Sequence, residues 1–164
     1  MPGAARGGSG SWWELLAWVF TISAAGAGMG MLFGPDAWFA ELSKPLWNPP
    51  GWLFAPVWTT LYVLMGISVW LVRKQADASR QEKRKATQLF LVQLLLNLAW
   101  TPLFFGLHRP LWAFAEICVL WAFILWTAVE FGKIRPLAGY LLWPYLLWVT
   151  FALVLNGTIG LMNT

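Results

Sequence analysis

The sequence predicts an all-α membrane protein, a bundle of five transmembrane helices. Three observations lead there. Of the 164 residues, 59% are hydrophobic and only 11% charged, where a soluble domain carries about 25% charged residues. The charges gather in short stretches and leave five long runs with no charge or one, each able to supply the roughly 20 residues that cross a hydrocarbon core. The alternation over about ten residues that marks a membrane β-barrel strand does not occur. The mean hydropathy of +0.61 agrees.

The spans are expected at about 12–34, 54–73, 86–107, 110–131 and 137–162, with short links that leave a single domain. Span 1 is uncharged from Leu15 to Pro35 and carries "SAAGAGMG", small residues that let a second helix approach. Gly26 and Gly30 form a small-xxx-small pair, a signal for a homodimer. Arg6, the apolar run and "AGA" at 25–27 mimic a signal peptide, but the run exceeds the usual apolar region, so span 1 is expected to stay.

Span 2 follows "KPLWNPPGW". Lipid cannot satisfy irregular backbone, so Pro45, Pro49 and Pro50 belong to a loop folded onto the mouth of the bundle. Pro56 suits a first helical turn, where a missing N–H costs little. Trp47 and Trp52 are either interfacial anchors or parts of a lid over a cavity; the residues leave both open.

Span 3 holds "QLLLNLAWTPLFFG", with Gln93, Asn97 and Trp100 on one helix face. Amides in lipid need hydrogen-bond partners. They act as helix–helix glue, or Asn97 also faces a ligand. Pro102 should kink or end the helix. Span 4 is interrupted by Glu116, which should point inward and find Arg109 or an amide, or stay protonated. Cys118 is the lone cysteine, which excludes an intrachain disulfide. Span 5 stacks Trp148, Ala152 and Asn156 at four-residue spacing, a ring, a small residue and an amide on one face. Pro144 should bend it near its start. His108, at the turn between spans 3 and 4, reads as interfacial.

The formal charge is +4. Nucleic acid is not the expected partner, because the basic residues sit mostly in one loop, where membrane topology explains them. The N-terminus, loop 2 and loop 4 share one side and hold Arg6, Arg73, Lys74, Arg80, Lys83, Arg84, Lys85, Lys133 and Arg135; the other side holds Lys44 and Arg109. This asymmetry predicts the N-terminus inside and the C-terminus outside, in the cell inner membrane if the source is bacterial. The sequence has no Walker loop, no His/Cys metal cluster and no Ser/His/Asp set that one histidine could serve. No metal and no cofactor is expected.

The motifs "WFAELSKPLWNPPGW", "PVWTTLYVLMG", "QLLLNLAWTPLFFG" and "WPYLLWVTFALVLN", in this order and spacing, resemble the TspO/MBR family of tryptophan-rich sensory proteins and translocator proteins, which includes the peripheral-type benzodiazepine receptor. The resemblance covers nearly the whole chain. It implies a five-helix protein, often dimeric, that binds a porphyrin such as protoporphyrin IX in a pocket within the bundle closed by loop 1. Trp58, Trp100, Trp112 and Trp148 match pocket-lining tryptophans of the family, and Asn97 and Ala152 match further pocket positions. Phe39 stands where the family commonly has Tyr, so a hydroxyl contact to ligand is lost. The sterol motif that follows span 5 in animal members is missing from "LNGTIGLMNT", so sterol binding is discounted. The resemblance also implies an alternative, light- and oxygen-dependent porphyrin breakdown, in which Trp58 and Trp148 match the reacting tryptophans. Binding without turnover and slow turnover share one site in this reading.

Overall fold

The structure, a computed structural model, describes residues 12–164. Arg6 and the start of the signal-like stretch lie outside them. Among the described residues there is no strand, and five helical segments are long and apolar enough to cross a membrane. Helix α1 (Trp12–Leu32) leads through a short α2 (Ala37–Glu41) to α3 (Phe54–Lys74); α4 (Arg80–Thr101) and α5 (Pro110–Ile134) follow, and the last segment is divided into α6 (Pro136–Tyr140) and α7 (Trp143–Met162).

Local chemistry sets these boundaries. Asp36 caps α2 by accepting the Phe39 N–H at 3.0 Å. Pro50 precedes a single tight turn, Gly51–Leu53, that feeds α3, with Pro56 in its first turn. Helix α4 begins ahead of the uncharged run because Ser79 and Glu82 cap each other: the Glu82 N–H donates to Ser79 Oγ, and the Ser79 N–H donates to Glu82 Oε2. Pro102 then ends the regular helix, and a wide turn, Pro102–Gly106, is closed by the Leu107 N–H on the Pro102 carbonyl at 2.8 Å. His108 reverses the chain at φ 54°, a left-handed conformation in which His is one of the more tolerated residues. Leu141 and Leu142 separate α6 from α7, and Pro144 sits in the first turn of α7.

The segments close a ring: α1 packs on α3, α3 on α6, α6 and α7 on α5, α5 on α4, and α4 back on α1. Packing is tightest at the end carrying loop 2. There Val69, Val72, Phe90, Phe131 and Ala138 are fully buried, and the Ser68 hydroxyl donates to the Ala138 carbonyl at 2.7 Å. Gly66 lets α1 close on α3; a Cβ there would lie 2.9 Å from Val19 Cα. Trp12 stacks on Trp70 at this end, and Arg73 Nε reaches Glu14 at 2.6 Å.

At the opposite end, loop 1 lies on the bundle. The Ser43 N–H donates to Asn163 Oδ1 at 2.9 Å, and Asn163 Nδ2 returns a bond to the Ser43 carbonyl. Trp38 stacks on His108 at 4.3 Å, and His108 Nε2 meets Asp36 at 3.0 Å. The C-terminal end, loop 1 and the α4–α5 turn therefore share one face. The small pair in span 1 does not form one open stripe: a Cβ on Gly26 would collide with the Tyr62 ring of the same chain, while Gly30 meets nothing within 4 Å. Gly26 serves packing inside the bundle, where the sequence suggested a dimer contact.

Candidate functional site

The site is built at the loop-1 end, where the ring of helices is least tightly closed. The backbones of α3 and α7 scarcely approach each other, and aromatic rings bridge the space. Phe54 and Trp58 stand one turn apart on α3. Phe54 meets Trp148 of α7 edge-on at 5.8 Å, and Trp58 meets Tyr145 of α7 at 6.3 Å while stacking on its own helix neighbour Tyr62 at 5.4 Å. Trp148 tilts against Phe151, and Trp47 of loop 1 adds its ring to Phe151 at 5.9 Å. A groove of about 580 Å³ runs along this seam, with Val57, Leu61, Leu147, Trp148 and Phe151 in its walls.

A second aromatic group lies under loop 1. Trp100 stacks on Phe104 at 5.0 Å and meets Phe105 at 5.8 Å. Phe39 packs on Phe105 at 5.2 Å and carries the Lys44 ammonium 4.5 Å above its ring. The Trp100 indole N–H donates to Asn156 Oδ1 at 2.9 Å, and Asn156 Nδ2 donates to the Pro110 carbonyl at 2.8 Å. One amide thus joins α4, α5 and α7. The facing residues of spans 3 and 5 do meet, through this bond.

Between the two groups the interior is polar. The Tyr62 hydroxyl donates to Asn97 Oδ1 at 3.4 Å, a long bond. Tyr145 is fully buried. The Tyr145 hydroxyl, both Glu116 carboxyl oxygens and both polar atoms of Gln93 are buried without a partner among the described residues. Such groups are costly in an apolar interior. Outside the spans, the Phe39 N–H holds the Asp36 carboxyl below its ordinary range; desolvation opposes it, and the His108 hydrogen bond adds to the lowering.

The sequence-identified residues divide. Asn97 reaches Trp58 through Tyr62, and Trp148 and Ala152 pack on the same core from α7. Phe39 and Trp100 join through Phe105. Trp112 stands apart, 71% exposed at the start of α5, as an interfacial belt residue would. Glu116 does not pair with Arg109, which lies exposed at the α5 N-cap: the helix start carries Arg109 out to the surface, while Glu116 sits two turns further in. Tyr62 and Tyr145 were not singled out by sequence. Tyr62 had a signal, one helical turn after Trp58; Tyr145 had none beyond its place before Trp148. No group of three metal-ligating side chains occurs among the described residues.

Comparison with known proteins gives a consistent picture. The family described as TspO/MBR matches residues 16–162. The tryptophan-rich protein TspO of Chlorobaculum tepidum is 43% identical over 130 residues, 79% of this chain and 82% of that protein. Protein CrtK of Rhodobacter capsulatus is 39% identical over 150 residues, 91% of this chain and 92% of its own length. The human translocator protein is 40% identical over 119 residues, 73% of this chain and 70% of its own length.

Proposed function

The chain belongs to the TspO/MBR family of multi-pass membrane proteins, and from that premise we propose that it is a sensor or translocator whose ligand is a porphyrin such as protoporphyrin IX. The observation that carries the reading is the seam between α3 and α7 that aromatic rings bridge: Trp148 and Phe151 line its groove, and Trp58 packs on Tyr62 and Tyr145 beside a polar interior. A porphyrin has two broad apolar faces and a polar core and edge. Indole and phenyl rings offer faces and edges for stacking, and Asn97, Tyr145 and Glu116 offer hydrogen bonds. Loop 1, pinned by Ser43–Asn163 and Asp36–His108, acts as the cover. The relatives named translocator protein and tryptophan-rich sensory protein support this class of role. The loop-2 face is taken as cytoplasmic on its basic excess; a protease-accessible C-terminus in inner-face-out vesicles would contradict that orientation.

The test is a dark titration of the purified protein with protoporphyrin IX, followed by tryptophan quenching. Saturable quenching is expected, weakened by Trp148→Phe and by Ala152→Phe, and unchanged by Trp126→Phe on the outer surface of α5. Absence of saturable quenching in the parent protein would refute the reading.

A second reading is porphyrin breakdown under light and oxygen. It is favoured by the stack of two oxidisable rings, Trp58 on Tyr62. Dioxygen would be the oxidant, reduced as the photoexcited porphyrin is oxidised, with the indole passing the electron from porphyrin to dioxygen and ending unchanged. Illuminating the dark complex decides it: an absorption spectrum that changes no faster than a protein-free control removes this reading and leaves binding intact.

A further inference from the structure

At the loop-2 end, far from the seam, Arg73 at the close of α3 and Arg80, Lys83, Arg84, Thr87 and Gln88 on the first turns of α4 surround a cavity of about 500 Å³. Residues 80, 83, 84 and 87 share one helix face. The acids nearby are committed elsewhere. Glu14 is held by Arg73 Nε, Glu82 by the Ser79 cap, Asp77 by Gln75 and Glu130 by Lys133. Among the described residues Arg80, Lys83 and Arg84 join no ion pair, and residues 1–11 contain no acid. Converging cations repel one another at this range, and an anion between them would relieve that repulsion.

The depth of the cavity identifies the anion's source. The uncharged run of α4 starts at Ala86, within the stretch that lines the cavity, and at the same end Trp12 and Trp13 are largely exposed, as in an interfacial belt. The cavity thus lies at headgroup level. With Arg73 held by Glu14, the guanidinium forks of Arg80 and Arg84, the Lys83 ammonium and the Gln88 amide match the oxygens of a phosphate. A topology signal needs basic residues in the loop, but not their convergence around one concavity. We propose that this cavity binds the phosphate of an anionic phospholipid from the leaflet facing loop 2. Inorganic phosphate shares the recognising chemistry and is tested alongside.

Native mass spectrometry of the full chain in detergent, with added phosphatidylglycerol, phosphatidylcholine or inorganic phosphate, decides the matter. Phosphatidylglycerol should be retained in preference to phosphatidylcholine. The R80Q/R84Q variant should lower that affinity by about 25-fold, at about fivefold for each charge removed. R80K/R84K should recover most of it, which separates lost charge from lost fold. K133Q/R135Q, on the same face but outside the cavity, should stay within about twofold. An equal loss in K133Q/R135Q would show a diffuse surface potential and overturn the proposal. So would equal retention of the two lipids, or saturation by inorganic phosphate without preference for phosphatidylglycerol.

Discussion

Asn156→Leu is the substitution whose effect can best be worked from the structure. Asn156 is 2% exposed, and leucine has a similar volume, so the change removes hydrogen bonds with little change in packing. Two are lost: the Trp100 indole N–H to Oδ1 at 2.9 Å, and Nδ2 to the Pro110 carbonyl at 2.8 Å. Side-chain bonds between membrane helices average about 0.6 kcal/mol and reach about 1.7, so the pair contributes roughly 1.2 kcal/mol. The Pro110 carbonyl can still accept within α5, but the indole N–H is left buried and unpaired, which adds about 1 kcal/mol or more. The expected loss is about 2–3 kcal/mol. It is measured by reversible unfolding in mixed micelles under increasing dodecyl sulfate, followed by circular dichroism. The decisive arm is a double-mutant cycle. Trp100→Phe removes the donor itself, so the double variant should lose less than the sum of the singles, with a coupling of about 1 kcal/mol. Additivity within about 0.3 kcal/mol would show that the bond does not hold the three helices together.

Two further outcomes follow from the packing and from the loop-1 cap. Gly66→Ala should destabilise by about 1–3 kcal/mol, since overpacking strains a fitted interface and the added Cβ would meet Val19 backbone at 2.9 and 3.0 Å; Gly28→Ala, which meets nothing within 4 Å, should be neutral or stabilising, and equal effects in the same unfolding assay would refute the close α1–α3 contact. Asp36 has its folded pKa depressed, chiefly by the Phe39 N–H, so its support of α2 is present above the unfolded value and is lost as pH falls through the folded one. The protection of the Phe39 amide, its exchange rate taken relative to the intrinsic rate at each pH, should therefore stay level at neutral and mildly acidic pH and fall only below about pH 4, a fall that Asp36→Asn removes; an Asp36-dependent onset near neutrality would contradict this sign.

The sequence showed the number of spans plainly, because lipid imposes a length and an absence of charge that a single chain displays directly. It also showed the breaks at Pro102 and Pro144, since a missing N–H acts locally. It did not show which face of each helix meets which neighbour. Four-residue spacing put Trp148, Ala152 and Asn156 on one face but could not reveal that Asn156 would take Trp100 and Pro110 as partners. Trp112 illustrates the limit: an indole near a helix start has the same local sequence whether it faces lipid or the interior, and only the rotation of α5 within the ring turns it outward. Glu116 was legible as an inward acid because of its desolvation cost. Its lack of a basic partner was not, because that depends on how far apart Arg109 and the carboxyl end up. Gly26 was read for its size alone, and the ring that fills its space comes from 36 residues later, at Tyr62.

The seam between α3 and α7 also constrains kinetics. Because rings rather than backbone bridge it, χ rotations of Phe54, Trp58 and Trp148 can widen it without breaking a helical hydrogen bond, on the fast timescale of side-chain motion. Its walls are mostly apolar and belong to two helices long and apolar enough to cross a membrane. A ligand of the proposed kind that enters here from the bilayer would associate at a rate that scales with its concentration in lipid. Apparent affinities measured in detergent and in membranes of different composition should then differ by the ratio of the solute's partition coefficients, even where the protein's own contacts are identical.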